Sequence, residues 1–244
     1  MPRRDVKVTT PEGVCPVVVC TPDGEGPWPP VLVFMDAGGV RASLIAIAER
    51  IAAMGYLAFL PEMYYRHGAY APFSFATAFS DETERARLMA MAGSLTKAMA
   101  ARDAGAFLAY LDAMPEADAT KVGSTGYCMG GGLSLTAAAH HPDRIVAVAS
   151  FHGGRLATDA PDSPHRVVGQ IKGRVYVAGA IDDASFPPEQ AELLRRALTD
   201  AGVDHTLEIY PARHGFAVPD SPTYDADAAA RHARALADLY GAML

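Results

Sequence analysis

The chain has 244 residues, of which 50% are hydrophobic and 20% are charged, and its formal net charge at pH 7 is −7. This composition is that of a globular protein with a sizeable core, and it excludes an intrinsically disordered chain. The acidic balance, with basic residues scattered along the chain, argues against a nucleic-acid partner, because phosphate binding needs clustered Lys and Arg.

The predicted elements begin with a β-hairpin and then alternate between strands and helices. Glycine and proline residues end most of these elements, and an aromatic-rich, irregular stretch from Glu62 to Ser80 interrupts the alternation. The predicted strands are Val6 to Thr10, Val14 to Thr21, Val31 to Met35, Tyr56 to Leu60, Val122 to Tyr127, Ile145 to Phe151, Arg174 to Ala178 and Thr206 to Tyr210. The predicted helices are Ala42 to Met54, Asp81 to Ala92, Thr96 to Met114, Gly130 to His141, Pro188 to Ala201 and Asp225 to Tyr240.

Strands that alternate with helices predict an α/β fold with a mostly parallel central sheet and helices on both faces. In such a sheet, ligands bind at the edge formed by the carboxyl ends of the strands. The length suits one large α/β domain, so we expect residues 1–244 to form a single domain. No secretory signal follows the basic amino-terminal pair and no apolar run approaches about 18 residues, so we expect a cytoplasmic protein without a membrane partner.

A candidate nucleophile lies between the fifth predicted strand and the helix that follows it. Residues 126–130 read Gly-Tyr-Cys-Met-Gly, the pattern of a nucleophile elbow with cysteine in place of serine. The turn pushes the Cys128 thiol above the sheet, and the helix amino terminus beside it favours a thiolate. The alternative is that Cys128 is a buried structural cysteine in a tight turn. We expect Cys15 and Cys20, which lie in one apolar stretch, to be unreactive buried or half-buried thiols.

An acid and a base follow the cysteine in the chain order that nucleophile elbows require. His214 comes after the eighth predicted strand, and the loop after the seventh contains Asp182 and Asp183. The spacing to Gly179 favours Asp182 and the spacing to Pro187 favours Asp183; we choose Asp183 and keep Asp182 as the alternative. We assign no chemical role to the remaining histidines, which include His140, His141, His152 and His205. No set of them has the spacing of metal ligands.

On these motifs the chain resembles the dienelactone hydrolase family, which has the α/β-hydrolase fold. The motifs are the cysteine elbow, the Asp-x-x-x-Pro loop, the His-Gly-Phe sequence and an acidic residue directly after the third strand, and the resemblance covers nearly the whole chain. It implies an oxyanion hole formed by the backbone N–H groups of Ala37 and Met129. It also implies that Asp36 stands where the family has a glutamate that helps to activate the cysteine; a loop aspartate that orders the following turn is the alternative.

Family members that act on dienelactone hold the substrate carboxylate with two arginines. Arg85 falls near one of these positions, and Val218 occupies the other. We also expect the irregular stretch to supply pocket residues, with structural packing as the alternative for each of them. These residues are Tyr64, Tyr65, Arg66 and the stretch Tyr70 to Phe79.

The sequence therefore predicts a hydrolase that cleaves a carboxylic ester or lactone, a small-molecule substrate, through a Cys-His-Asp triad and an acyl-enzyme. No cofactor or metal is implied, and the chain is expected to be a monomer or a homodimer. One alternative is an acyltransferase or thioesterase that uses the same residues. Another is a non-catalytic domain of the same fold that binds a small ligand or a protein.

Overall fold

An eight-stranded sheet forms the centre of the computed structural model, which describes residues 1–75, 77–78 and 80–244. The strand order across the sheet is 1-2-4-3-5-6-7-8. In chain order the strands are β1 (Arg3–Thr10), β2 (Gly13–Cys20), β3 (Pro30–Phe34), β4 (Leu57–Pro61), β5 (Val122–Tyr127), β6 (Ile145–Phe151), β7 (Arg174–Ala180) and β8 (His205–Tyr210).

Six α-helices connect or follow these strands in the described part of the chain. Three of them begin at a side-chain cap, because Asp81, Thr96 and Asp225 each accept a hydrogen bond from a backbone N–H in the first turn. None of the described helices combines the length and the apolar character that crossing a membrane requires. The helices are α1 (Ala42–Ala53), α2 (Glu82–Ser94), α3 (Lys97–Asp112), α4 (Met129–His140), α5 (Pro188–Asp200) and α6 (Ala226–Met243).

The sheet is parallel from β4 to β8, and β2 pairs antiparallel with both β1 and β4. Helices cover both faces of β5. Successive strand residues point to opposite sides of the sheet, so the neighbours of two successive residues show what covers each face. Ser124 bonds to Ser134 of α4 at 2.8 Å between the two Oγ atoms. A Cβ at the preceding Gly123 would meet Tyr240 of α6. The predicted mostly parallel sheet with helices on both faces is therefore confirmed.

The predicted element boundaries differ from the structure mainly at the edge of the sheet. β1 begins at Arg3 instead of Val6, and its first residues pair with β2 in the register Arg3 to Cys20. These added residues are exposed and polar, so their side chains carry no burial pattern from which a strand could be predicted. Backbone pairing holds them in the sheet, and Arg3 and Arg4 also form surface ion pairs with Glu49 and Glu116.

A buried histidine fastens α6 to the centre of the sheet. His232 Nε2 lies 2.8 Å from the Tyr127 hydroxyl, and the His232 ring stands edge-on to Phe151 with 4.3 Å between the ring centroids. His232 is only 5% exposed, and this burial lowers its pKa to about 4. The neutral imidazole is therefore part of the packed core.

We predict that His232 makes the free energy of unfolding fall as the pH is lowered. Its pKa is about 4 when folded and 6.5 without the protein environment, so between these values only the unfolded chain gains a proton there. This proton uptake should lower the free energy of unfolding by about 3 kcal/mol between pH 6.5 and pH 4. Above pH 6.5 it should have no effect on the free energy of unfolding. Denaturant unfolding at several pH values should show this extra loss in the wild type and not in His232→Gln. Equal pH dependence of the two proteins would contradict the prediction.

Candidate active site

The cysteine elbow forms as the sequence predicts, at the carboxyl end of β5. Cys128 directly precedes α4 and adopts a φ of 54°, a left-handed conformation that non-glycine residues rarely hold. The flanking glycines permit this turn, since a Cβ at Gly126 would overlap the carbonyl of Gly130. The Cys128 side chain is half-buried and lies at the amino terminus of α4, where the helix dipole favours an anion.

The structure brings His214 and Asp183 together at the same edge of the sheet. His214 follows β8 and Asp183 follows β7, and His214 Nδ1 lies 2.7 Å from Asp183 Oδ2. The second oxygen of this carboxylate accepts hydrogen bonds from the Ser185 backbone N–H at 2.8 Å and from the Ser185 hydroxyl at 2.6 Å. Each Asp183 oxygen therefore has a partner, and the orientation of the carboxylate is fixed.

Neighbouring charges make the His214 imidazole a strong base. Burial disfavours its charged form, but the hydrogen bond to Asp183 and the interaction with the Cys128 thiol outweigh burial and raise the pKa of His214 to about 10. Burial also opposes the charge on Asp183, whereas the hydrogen bonds from His214 and Ser185 hold the pKa of that carboxyl below its usual value. The arrangement thus favours an imidazolium between a carboxylate and a sulfur.

Of the two candidate acids, only Asp183 reaches the histidine. Asp183 is 9% exposed, whereas Asp182 is an exposed residue with a φ of 55° at the start of the same turn. The left-handed backbone at Asp182 directs the chain so that the next residue enters the site. The spacing to Pro187, and not the spacing to Gly179, agrees with this geometry.

The two predicted oxyanion donors also lie at this edge. Met129 is the first residue of α4, so its N–H belongs to the helix turn that has no intrahelical acceptor. Ala37 lies in the turn after β3. The Tyr64 side chain contacts both Ala37 and Met129. The Tyr64 hydroxyl donates to the Ala37 carbonyl at 3.0 Å and lies 3.6 Å from Met129 Sδ.

The two predicted accessory residues differ in their surroundings. Asp36 is 1% exposed, and it accepts hydrogen bonds from the Gly38 N–H at 2.8 Å and from Arg41 at 2.6 and 2.9 Å. These contacts fit the alternative that Asp36 orders the turn after β3. Arg85 lies on α2 with its side chain exposed to solvent, while Arg87 of the same helix stacks on Phe73 at 3.9 Å.

The irregular stretch divides between the site and the core. Tyr65 and Arg66 point away from the site, because the Tyr65 hydroxyl and Arg66 Nη2 both donate to Asp103 Oδ1 on α3, at 3.2 and 2.9 Å. The packing alternative therefore describes these two residues better than the pocket prediction does. A pattern of aromatic residues cannot separate the two cases, since both place the ring against apolar neighbours.

Tyr70 and Phe75 instead cover the glycine turn after β3. The Tyr70 hydroxyl donates to Glu62 at 2.8 Å, and Glu62 in turn accepts the Val40 N–H at 3.0 Å. A Cβ at Gly38 would come within 2.8 Å of the Phe75 ring. Ala76 and Phe79, which fall in the predicted pocket stretch, lie outside the described residues.

Sequence reasoning assigned no chemistry to His152, yet it lies against both members of the cysteine–histidine pair. Its Nδ1 accepts the Cys128 N–H at 3.2 Å, and its ring centroid is 5.2 Å from that of His214. Complete burial, and then the neighbouring His214, lower the pKa of His152 well below its usual value. The feature of the sequence that could have indicated a role for His152 is its position directly after β6, at the carboxyl edge of the sheet.

Within the described part of the chain, no three His, Cys, Asp or Glu side chains are grouped to hold a metal ion.

Comparisons with known proteins agree with this fold. A family model described as the dienelactone hydrolase family matches residues 15–244. A Yersinia pestis protein provisionally named carboxymethylenebutenolidase is 30% identical over 223 residues, which cover 88% of this chain and 78% of the relative. A Synechocystis protein of the same provisional name is 29% identical over 220 residues, covering 86% and 84%. The solved structure of a dienelactone hydrolase-like promiscuous phosphotriesterase from metagenomic libraries is 28% identical, with a TM-score of 0.79 over 99% of this chain and 98% of that one. The predicted α/β-hydrolase fold is confirmed.

We predict that Gly126→Ala destabilises the protein and slows the reaction of Cys128 with iodoacetamide. The added methyl group would overlap the Gly130 carbonyl, so the elbow must shift. Overpacking of this kind costs about 1–3 kcal/mol, which lowers the melting temperature by about 2–12 °C at this chain length. Gly241→Ala on α6 is the control, because its Cβ would have no neighbour within 4 Å. A Gly126→Ala protein with the stability and thiol reactivity of the control would show that the elbow does not need this glycine.

Proposed function

The chain belongs to the dienelactone hydrolase family, and we propose that it hydrolyses a carboxylic ester or lactone through a Cys128–His214–Asp183 triad and a covalent acyl-enzyme. One observation carries the proposal: the hydrogen bond of 2.7 Å between Asp183 and His214 Nδ1, on an imidazole that also interacts with the Cys128 thiol. Because Asp183 occupies Nδ1, the other ring nitrogen, Nε2, is the one available to the sulfur. This is the arrangement that activates a nucleophile for acyl transfer.

In the first step, the Cys128 thiolate attacks the carbonyl carbon of the substrate. A carbon–sulfur bond forms, and the carbonyl electron pair moves to the oxygen, which becomes an oxyanion. The backbone N–H groups of Ala37 and Met129 are the proposed donors to this oxyanion, and such donors typically account for about 3 kcal/mol each of transition-state stabilisation. The imidazolium form of His214 stays available at neutral pH, since the pKa of His214 is about 10.

The tetrahedral intermediate then collapses to a thioester on Cys128. The bond between the carbonyl carbon and the leaving oxygen breaks, and His214 Nε2 transfers its proton to that oxygen. Neutral His214 next removes a proton from water as the water attacks the thioester. The thiolate leaves, the carboxylic acid product is released, and the imidazolium is restored, so protons and charges balance over the cycle.

The chemistry of a thiolate narrows the substrate class. A thiolate attacks readily, but hydrolysis of the thioester must compete with re-attack by the departing alcohol. An activated ester, or a lactone whose opened form rearranges, escapes this reversal better than an amide does. We propose an activated ester or such a lactone as the substrate. Residue 218 does not bind a substrate carboxylate, because Val218 is apolar and 1% exposed.

We predict that one equivalent of iodoacetamide on Cys128 abolishes the turnover of p-nitrophenyl acetate. Cys128→Ala should lower the turnover at least ~1,000-fold, because the attacking atom is lost. Cys20→Ala is the matched control, since Cys20 is buried and burial raises its pKa to about 11. It should keep both the turnover and the labelling stoichiometry. Full turnover after complete labelling of Cys128 would instead favour the non-catalytic alternative or another nucleophile.

A further inference from the structure

We infer that Arg41 is a positioning residue, which fastens the turn carrying the Ala37 amide to the loop that follows His214. Asp36 is its partner in the first segment and Asp220 its partner in the second. This inference rests on the proposed function, because it assigns Arg41 a role in aligning the oxyanion donor with the base. Nothing in the sequence patterns singled out Arg41 or Asp220.

Every N–H group of the Arg41 guanidinium has an acceptor. Nε and Nη2 donate to the two oxygens of Asp220 at 2.7 and 2.9 Å. Nη1 and Nη2 donate to the two oxygens of Asp36 at 2.6 and 2.9 Å, and Nη1 also donates to the Gly39 carbonyl at 3.1 Å. A guanidinium has five N–H donors, and five are used. Arg41 therefore has no donor left for a substrate carboxylate.

The two carboxylates belong to different parts of the site. Asp36 and the Gly39 carbonyl lie on either side of Ala37, so Arg41 grips the turn that presents the Ala37 N–H. Asp220 lies six positions after His214, and turn hydrogen bonds close the segment between them, from Val218 N–H to the Gly215 carbonyl at 3.0 Å and from Ser221 N–H to the Val218 carbonyl at 2.9 Å. These turns make Asp220 an anchor for Arg41, whereas the His214 imidazole is held separately by Asp183.

Burial strengthens the Asp36 half of this connection, since Asp36 is 1% exposed, whereas the Asp220 side chain is 40% exposed. The Arg41 side chain is only 10% exposed, and its guanidinium lies 4.2 Å from the centre of the Phe75 ring. Burial disfavours the guanidinium charge, but the two carboxylates raise the pKa of Arg41 above its usual value. Bidentate pairs between arginine and carboxylate restrict both distance and angle, and a partly desolvated site strengthens them.

The proposed role separates Arg41 from the groups that react. An oxyanion donor must lie about 2.7–3.1 Å from the developing charge, and a drift of about 1 Å can cost ~100-fold in rate. Loss of Arg41 should therefore lower kcat for an ester. It should leave the alkylation of Cys128 by iodoacetamide nearly unchanged, because alkylation uses the thiolate and no oxyanion hole.

The experiment compares Arg41→Met and Asp220→Ala with the control Arg144→Met. Arg144 makes a similar bidentate pair, with Asp112 at 2.6 and 3.2 Å, but at the amino end of β6, away from the site. Asp220→Ala is included because Arg41→Met leaves the buried Asp36 carboxylate without a positively charged partner and can unfold the chain. The readouts are kcat and KM for p-nitrophenyl acetate and for p-nitrophenyl hemisuccinate, the rate of Cys128 alkylation, and the melting temperature.

We expect kcat for p-nitrophenyl acetate to fall ~10-fold in Asp220→Ala and ~100-fold in Arg41→Met, with KM and the alkylation rate within about threefold of the wild type. Arg144→Met should keep wild-type kcat. A lower melting temperature with unchanged kcat in Asp220→Ala would overturn the inference in favour of a merely structural role. A selective rise in KM for the hemisuccinate would overturn it in favour of substrate binding. Absence of turnover in the wild type would overturn the proposed function, and this inference with it.

Discussion

The hydrogen bond between His214 and Asp183 determines what the site can do, because it sets both the direction and the charge of the imidazole. A histidine on a solvated loop would be mostly neutral at neutral pH and could turn either nitrogen toward the sulfur. Here the carboxylate holds Nδ1 at 2.7 Å, and Ser185 holds the carboxylate. The raised pKa of His214 follows from this contact and from the nearby sulfur. The proposed acyl transfer depends on that charged, oriented ring.

The fold supplies this contact by placing four strand ends at one edge of a parallel sheet. The turn with Ala37 follows β3, Cys128 follows β5, Asp183 follows β7 and His214 follows β8. Each strand is held by its neighbours, so the loops start from fixed points. The loops themselves then need local fastening, which Ser185 gives to the acid and, in our inference, Arg41 gives to the oxyanion turn. His152, after β6, packs into the remaining space beside Cys128.

Most of the fold and the chain order of the site could be predicted from sequence, because both depend on local patterns. Hydrophobic runs and glycine stops marked the strands, and the elbow pattern marked Cys128. The choice between Asp182 and Asp183 could not be settled in this way, since adjacent residues differ only in the backbone angle of the turn. Arg41 and Asp220 are 179 positions apart, and nothing in a local pattern predicts such a pair. The contacts of Tyr65 and Arg66 with Asp103 could not be predicted either, because they depend on the tertiary position of α3.

The most direct test of the account is an NMR titration of the His214 imidazole nitrogens in the wild type, Asp183→Asn and Asp182→Asn. We expect the wild-type ring to stay protonated through neutral pH and to titrate near 10. Asp182→Asn should behave in the same way, because Asp182 is exposed. Asp183→Asn should move the transition down toward 6.5, since the largest favourable contact of the imidazolium is lost. A wild-type ring that already titrates near 6.5, or a shift caused by Asp182→Asn alone, would contradict the account.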